Sequence, residues 1–461
     1  MTPAQQDREY LWHPFTQMRA WASGPEPLVI VEGEGARLRD DKGREYLDGN
    51  SSIWTNLHGH RRPELDDAIR AQLGKLAHSS FLGLTNEVAP ALAAQLVRAM
   101  ERPGAWRVFL SDDGSTAIEA GLKMIHQARV QRGEPERQIF LSLAAGYHGD
   151  TVGAMSVGHS ATFHGTYAGL MFASREVPAP ACYRCPFNEA PPERGRDARL
   201  TRKCQWECVR AVEHTLDELG ARATAFVLEP LVQGAGGMAM HPAGYLAQVA
   251  QLCRARGVWL MLDEVLTGFG RTGAMFAFQK EDRVTPDIVA LAKGLTGGYL
   301  PLAATVASGE IYAAFLGEYE DGKTFFHGHS YSGNPLGCAA ALASITLLEG
   351  THTHTHRAAL AATLEQLAQR FWQHPSVGDV RCEGMICAIE LVQDFATREP
   401  FPAARRIGAQ VCDAARAHGL LTRPVGDVLV LMPPYCTTGE ELATMAEALW
   451  RALCKVLPAA A

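Results

Sequence analysis

Short apolar runs alternate with stretches of helical periodicity between about residues 105 and 310. The apolar runs are RVFLS at 107–111, QIFLSL at 138–143, VWLML at 258–262, DIVALA at 287–292 and AATVAS at 303–308. Amphipathic stretches begin at residue 115 and near residue 243. Strands that alternate with helices are typical of a mainly parallel sheet covered by helices on both faces, so we predict an α/β fold.

The two ends of the chain have a different pattern. Residues 29–49 resemble a twisted hairpin, and the C-terminal part predicts helices near 357–373, 403–418 and 438–456 with short strands between them. We therefore expect residues 1–51 and 351–461 to form a smaller α+β domain beside a large domain of residues 52–350. A Pro-rich and charged stretch predicts an inserted surface loop at about residues 180–210.

Composition narrows the class of protein. The 461 residues are 47% hydrophobic and 20% charged, with a net charge of −7, which is ordinary for an enzyme that handles metabolites. Nothing in this balance favours a nucleic acid or an anionic membrane as partner. The first 18 residues have no basic segment followed by an apolar core, so we expect a cytoplasmic location and most of the eleven cysteines reduced.

Two of the apolar runs are each followed directly by an ionisable residue, an acid after one and a lysine after the other. Asp263 follows VWLML, and Lys293 follows DIVALA. Pyridoxal phosphate needs a lysine amine to hold its aldehyde as a Schiff base and a carboxylate to keep its ring nitrogen protonated. This pair therefore predicts a pyridoxal phosphate site at the carboxyl edge of the sheet. The alternative is an ordinary buried strand with a helix-capping aspartate and a surface lysine.

The turn DGST lies between the strand RVFLS and the following helix. It places Gly114 and Ser115 at a helix N-terminus, where free N–H groups and the helix dipole favour a phosphate. Ser and Asp also cap many helices that bind nothing. In the motif GYHGDT, Tyr147 follows another strand and could stack on a flat ring, or simply pack against its neighbours.

Three later segments each contain a polar residue that allows a functional and a structural interpretation. Glu229 ends the strand of FVLEPLVQGAGGM and either orients a substrate or ties down the loop. Ser330, in FFHGHSYSGNP at 325–335, either donates to a phosphate, even in a neighbouring subunit, or belongs to a structural loop. Arg423 either binds a substrate carboxylate or joins a buried ion pair.

Four cysteines flank the charged loop. The spacing is C-x2-C, eighteen residues, then C-x3-C, formed by Cys182, Cys185, Cys204 and Cys208. Four thiolates at such spacing could bind a structural zinc ion or an iron–sulfur cluster. The alternative is a loop of reduced thiols, and the x3 spacing is less usual for zinc.

Taken in order, these motifs resemble the class III aminotransferases. The resemblance runs from about residue 8 to the C-terminus and implies fold type I, with a mainly parallel seven-stranded sheet covered by helices and a smaller α+β domain. Within the class, the chain resembles the diaminopelargonate synthases, which aminate 7-keto-8-aminopelargonate in biotin biosynthesis. The motifs behind this narrower resemblance are LWHPFTQM at 11–18, DGNSSIWTNLHGH at 48–60, EPLVQGAGGM at 229–238, DEVLTGFGRTG at 263–273 and TRPVGDVLVLMPP at 422–434.

The resemblance implies a role for individual residues. Lys293 would form the imine with pyridoxal phosphate and move the proton, and Asp263 would pair with the pyridine nitrogen. The phosphate would be held by Gly114 and Ser115, with help from a partner subunit of a homodimer through the residues His329 and Ser330. Tyr147 would stack on the ring and Arg423 would bind the keto acid carboxylate. The implied channel residues are Trp54, Tyr147 and Gly328.

Two positions depart from the relatives that use adenosylmethionine. Phe15 and Ile53 stand where those carry a tyrosine and a tryptophan, and the same changes resemble a branch that uses lysine as amino donor. The loop VQGAGG argues against glutamate as donor. Other functions remain open: a general ω-amine or diamine transaminase, or a metal-clipped binding or regulatory module with a vestigial pyridoxal phosphate site.

Overall fold

A computed structural model describes residues 1–458, except for the side chains of residues 351 and 352. The strands are β1 (Ile30–Glu34), β2 (Arg37–Asp40), β3 (Glu45–Asp48), β4 (Trp106–Ser111), β5 (Ile139–Leu143), β6 (Arg175–Val177), β7 (Ala223–Leu228), β8 (Val232–Gln233), β9 (Ala239–Met240), β10 (Trp259–Asp263), β11 (Ile288–Leu291), β12 (Ala303–Ser308), β13 (Val377–Glu383), β14 (Ile386–Leu391), β15 (Leu420–Leu421) and β16 (Val428–Leu431).

The helical segments flank these strands along the whole described chain. They are α1 (Pro3–Tyr10), α2 (Met18–Ser23), α3 (Ser51–Trp54), α4 (Pro63–Leu73), α5 (Val88–Ala99), α6 (Gly114–Gln131), α7 (Val152–Ser156), α8 (Ala161–His164), α9 (Ala198–Thr201), α10 (Glu207–Leu219), α11 (Tyr245–Ala255), α12 (Gly309–Ala313), α13 (Pro335–Glu349), α14 (Thr351–Ala368), α15 (Ile407–Ala415) and α16 (Gly439–Val456). Short 3₁₀ turns join several of them.

The central sheet has seven strands in the order β4-β12-β11-β10-β7-β5-β6. Neighbouring strands are parallel except that β12 runs antiparallel to both β11 and β4. The strands β7, β10 and β11 are buried along their whole length, which explains their continuous apolar sequences. The predicted mainly parallel α/β sheet is confirmed.

Two smaller sheets use the ends of the chain. The four-stranded sheet has the order β1-β2-β3-β15, in which β15 pairs in parallel with β3 across most of the sequence. The three-stranded sheet has the order β13-β14-β16 and is antiparallel. Residues from both ends of the chain therefore meet in one sheet.

Helix α6 shows how local sequence positions the site. Asp113 caps it, since its side chain accepts the Thr116 N–H at 3.0 Å while Thr116 Oγ1 accepts the Asp113 N–H at 3.1 Å. The helix buries a stripe of small and apolar residues against β11 and β12. These contacts fix the N-terminus of α6 at the end of β4. Within residues 1–458, no helix has the length and apolar character that crossing a membrane requires.

Candidate active site

A cavity of about 500 Å³ lies at the carboxyl ends of β5, β7, β10 and β11. This volume is typical of sites for small organic ligands. The residues predicted from the sequence that line it are Trp54, Gly114, Ser115, Tyr147, Glu229, Asp263 and Lys293. Residues from six separate segments of the chain thus converge on one pocket at the edge where a parallel sheet binds its ligands.

The Lys293 amine is buried in this cavity. It forms no hydrogen bond with any residue between 1 and 458, and it lies 4.9 Å from the centre of the Trp54 ring. Burial lowers the pKa of Lys293, and the negative charges of Asp263 and Glu229 only partly offset this. A lowered pKa favours the neutral amine, which is the form that attacks an aldehyde.

Asp263 ends β10 and is held by two donors. Its carboxylate accepts a hydrogen bond from the Val265 N–H at 3.0 Å and lies 2.7 Å from His148 Nδ1. Burial opposes protonation of His148, but the hydrogen bond and charge of Asp263 outweigh it and raise the pKa of His148. A His148 cation would therefore stabilise Asp263 as a carboxylate, the form that keeps a pyridine nitrogen protonated.

His148 was not among the residues predicted from the sequence. It lies next to Tyr147 at the end of β5, in the loop GYHGDT, and it is buried. The sequence offered one indication of its role, since it directly follows Tyr147, the candidate for stacking on the cofactor ring. The hydrogen bond to Asp263 spans 115 positions of sequence and depends on the pairing of β5 and β10 with β7.

The N-terminus of α6 forms part of the cavity lining. A Cβ atom on Gly114 would lie 2.9 Å from Val265 Cγ1, so only glycine fits there. Gly149 has a φ of 123°, and a Cβ there would collide with Ser115 Oγ. These two glycines bring the loop after β5 and the chain after β10 against the helix N-terminus, where free N–H groups attract a phosphate.

Tyr147 is fixed by its neighbours. Its phenol donates to Asp150 at 2.7 Å, and its ring stacks on His164 with centroids 5.6 Å apart. Phe163 packs edge-on against Tyr147, and Phe15 packs edge-on against Phe163. Phe15 therefore lies one aromatic ring away from the cavity, although it does not line it.

Five further predicted residues also lie outside the cavity in the single chain. Ile53 is 44% exposed beside Trp54, and Gly328 lies in the loop that follows Phe325. His329 is 3.5 Å from Asp112, a cavity residue, and the Ser330 carbonyl accepts from His78 at 2.7 Å. Arg423 is exposed and forms no ion pair or hydrogen bond within the described part of the chain, so the buried ion pair considered for it is not observed.

The segment that carries Ile53 and Trp54 has an unusual backbone. Ser51, Ser52, Ile53 and Trp54 have φ values of 46°, 48°, 65° and 67°. Left-handed helical conformation costs an L-residue about 1–2 kcal/mol. Backbone strain of this kind is typical of functional sites, where the surrounding structure holds it in place.

The predicted metal site finds no support in the described part of the chain. Cys182, Cys185, Cys204 and Cys208 line one small cavity, but no group of three or more His, Cys, Asp or Glu side chains among residues 1–458 is placed to hold a metal ion. Burial raises the pKa of Cys182 to about 12 and that of Cys208 to about 11 in the metal-free chain. All four cysteines are free thiols, of which Cys182 and Cys208 are buried and Cys185 and Cys204 are partly exposed.

Glu229 gives the cavity a pH-dependent charge. It accepts hydrogen bonds from the N–H groups of Gly234 at 2.7 Å and Tyr147 at 3.4 Å. Burial and the nearby Asp263 charge raise the pKa of Glu229 from 4.5 to about 7. Because the folded-state pKa is the higher one, Glu229 stabilises the fold below about pH 4.5, and this contribution is lost as the pH rises through about 7.

We expect Glu229→Gln to remove this pH-dependent loss of stability in the cofactor-free protein. The unfolding free energy of the variant, relative to the wild type, should rise between about pH 5 and about pH 8 by on the order of 2 kcal/mol. Denaturant unfolding at several pH values measures it, with the exposed Glu9→Gln as control. A difference that does not change with pH would contradict the raised pKa.

The cavity suits the predicted cofactor. A buried amine without a hydrogen-bond partner among the described residues, a carboxylate backed by a histidine, and a glycine-lined helix N-terminus match the aldehyde, ring nitrogen and phosphate of pyridoxal phosphate. Tyr147 lies in the same lining with its ring held on two sides.

Comparison with known proteins agrees with this chemistry. Residues 19–453 match the family "Aminotransferase class-III". The chain is 47% identical to adenosylmethionine-8-amino-7-oxononanoate aminotransferase of Geobacter sulfurreducens, over 97% of this chain and 96% of that protein. The crystal structure of the enzyme of that name from Methanocaldococcus jannaschii superposes with a TM-score of 0.90 at 39% identity, covering 98% of both chains.

A third relative is a solved structure with the cofactor bound. It is an amine transaminase from an uncultivated Pseudomonas species in its pyridoxal phosphate form, with a TM-score of 0.87 at 36% identity, covering 97% of this chain and 98% of that chain. The family match and the near-complete coverage agree with the predicted fold and cofactor. The chain therefore belongs to the class III aminotransferases and is a pyridoxal phosphate-dependent enzyme acting on small molecules.

Proposed function

We propose that this enzyme aminates 7-keto-8-aminopelargonate (8-amino-7-oxononanoate) to 7,8-diaminopelargonate, the step that biotin biosynthesis requires, with adenosylmethionine as amino donor. The observation that carries the proposal is the 47% identity, along nearly the whole length of both chains, with an enzyme named for this substrate and this donor. The departures at Phe15 and Ile53 keep lysine as the competing donor.

Each residue of the cavity has a separate role in the proposed reaction. Pyridoxal phosphate, when bound, supplies an aldehyde that condenses with amines and a cationic ring that withdraws electrons. Lys293 holds the aldehyde at rest and, once displaced by the donor, moves a proton away from the donor carbon. Asp263, supported by His148, keeps the ring nitrogen protonated, and Tyr147 packs on the ring face. Gly114 and Ser115 hold the phosphate.

The order of events follows from having one cofactor site. The donor gives its amino group and leaves before the keto acid enters, so both substrates use the same cavity in turn. Lys293 acts in both halves, moving a proton from the donor carbon to the cofactor in the first half and from the cofactor to the substrate carbon in the second. Glu229 lines the same cavity and, with a pKa of about 7, changes its charge near neutral pH.

We assign substrate recognition to the residues that the resemblance implies. Trp54 lines the cavity itself, and Ile53 and Phe15 are exposed. Arg423 is exposed and unpaired within residues 1–458, so its guanidinium is free to bind a carboxylate in the two-point geometry that arginine favours. Gly328 would complete the channel from a partner subunit.

A homodimer with shared active sites is part of the proposal. The segment 325–335 includes large exposed apolar side chains, with Phe326 82% and Tyr331 59% exposed. Exposed aromatic groups of this size are typical of subunit interfaces. The partner's copy of this segment would bring His329 and Ser330 to the phosphate. Sedimentation of the holoenzyme tests the dimer directly.

Two further expectations remain proposals. The division into a large domain of residues 52–350 and a small domain of residues 1–51 with 351–461 is supported by the sheets, since the seven-stranded sheet lies within residues 106–308. A cytoplasmic location is supported by the biosynthetic role of the relatives. Limited proteolysis and cell fractionation measure these two properties.

The amino donor is tested by half-reactions of the purified holoenzyme. We expect adenosylmethionine, offered alone, to convert the visible absorbance of the resting cofactor to that of its aminated form, and the keto acid to reverse it. Lysine and glutamate are the comparison donors. Conversion by lysine but not adenosylmethionine would replace the proposed donor, and conversion by neither would contradict the proposed function.

The second candidate is a general ω-amine or diamine transaminase. The similarity in fold to an amine transaminase favours it, at lower sequence identity than the proposed function has. Simple primary amines, added as further donors in the same assay, decide between the two. Faster conversion by such amines than by adenosylmethionine or lysine would favour this alternative.

A further inference from the structure

The left-handed turn Ser51–Trp54 has no sequence feature that favours its conformation. None of its four residues is glycine, asparagine or aspartate, and Ile53 is β-branched. The local backbone preferences of these residues would therefore favour a conformation with negative φ. Contacts with the rest of the fold must hold it as it is.

Hydrogen bonds anchor the turn at its start. Ser51 Oγ donates to the Met432 carbonyl at 2.6 Å, which ties the turn to the chain after β16. The N–H and hydroxyl of Ser52 donate to the Asp48 carboxylate at 2.9 and 2.8 Å. Asp48 is buried and also contacts His60 at 3.1 Å.

A separate hydrogen bond fixes the side chain at the end of the turn. The Trp54 indole Nε1–H donates to Asn50 Oδ1 at 2.7 Å, and Asn50 is only 4% exposed. The Lys293 amine lies over the same indole ring, 4.9 Å from its centre. Asn50 therefore holds, through the indole N–H, the ring over which Lys293 lies.

We infer that Asn50 is a positioning residue, which holds the Trp54 indole over Lys293 and thereby keeps this amine in the cavity. The inference rests on the proposed role of Lys293. A lysine side chain has four flexible carbons, and no described residue accepts a hydrogen bond from this amine. The indole ring is one contact that limits its motion, and an amine held near the reacting aldehyde attacks faster than a mobile one.

The test measures how fast Lys293 forms its imine when pyridoxal phosphate is added to cofactor-free protein. Asn50→Leu keeps the side-chain size but leaves the indole N–H without its acceptor. We expect imine formation to slow about tenfold, the effect of one lost buried hydrogen bond. Trp54→Phe keeps an aromatic ring and removes the N–H, so Asn50→Leu in that background should change the rate less than about twofold.

Asn188→Leu is the matched control. Asn188 is also buried and donates from its amide to the Cys182 carbonyl at 2.9 Å, in the loop remote from the cavity. Thermal unfolding of all variants shows whether they fold. We expect Asn188→Leu to lower stability without slowing imine formation.

The outcomes separate this inference from the proposed function. The inference fails if Asn50→Leu slows imine formation equally in the wild-type and Trp54→Phe backgrounds, because Asn50 then does not act through the indole. It also fails if Asn50→Leu forms the imine as fast as the wild-type protein. If the wild-type protein forms no imine at Lys293, the proposed role of Lys293 fails first.

Discussion

Lys293→Ala is expected to lower transamination by about 10⁴-fold or more, because it removes both the nucleophile for the aldehyde and the base that moves the proton. Borohydride treatment of the wild-type holoenzyme should attach the cofactor to the peptide that contains Lys293, as detected by mass spectrometry. The variant should release its cofactor under the same treatment. Both half-reactions should be lost together, since the same amine serves each.

A surface lysine provides the control for this experiment. Lys75 is 65% exposed and pairs with Glu87, so Lys75→Ala should leave cofactor attachment and activity unchanged. Attachment of the cofactor to any lysine other than Lys293 would contradict the assignment of the site, although not the membership of the family.

Asp263→Asn is expected to lower the rate of both half-reactions by roughly 10³-fold, the size of effect that a lost electrostatic contact at the reacting centre produces. Asparagine keeps the shape of the side chain and can still accept the Val265 N–H, but it carries no charge. The ring nitrogen would then lose the carboxylate that keeps it protonated. Single-turnover rates, measured with saturating cofactor, separate this effect from weaker cofactor binding.

Asp287→Asn is the matched control for Asp263→Asn. Asp287 precedes β11 at the opposite edge of the sheet, where its carboxylate accepts the Leu260 N–H at 2.7 Å and burial raises its pKa to about 6. Its replacement changes the charge of a partly buried carboxyl group outside the cavity. Similar losses of rate in both variants would show that Asp263 acts on stability rather than on the cofactor.

The sequence predicted the central sheet well because its strands are continuous apolar runs. β10 and β11 are buried on both faces, their short length distinguishes them from helices, and the polar residues Asp263 and Lys293 mark the end of each apolar run. The pairing of an acid with a lysine at two such ends was enough to predict the cofactor.

The contacts of His148 could not be predicted in the same way. Which side chain meets Asp263 depends on strand order, and the order β10-β7-β5 is a property of the whole sheet. The turn Ser51–Trp54 was also beyond prediction, because residues far along the chain, such as Met432, hold it against local preference. The metal prediction finds no support among residues 1–458, because cysteine spacing does not say how the side chains are oriented, and no group of three or more potential ligands there is placed to hold an ion.

The parallel pairing of β3 with β15 has a consequence for biogenesis. β3 ends at Asp48, and its partner begins at Leu420. At ~5–20 residues per second, a ribosome needs on the order of half a minute to a minute to make the intervening chain. During synthesis β3 therefore remains an edge strand with one side unpaired, with which other chains could pair. Nascent chains truncated before Leu420 should depend on chaperones for this reason.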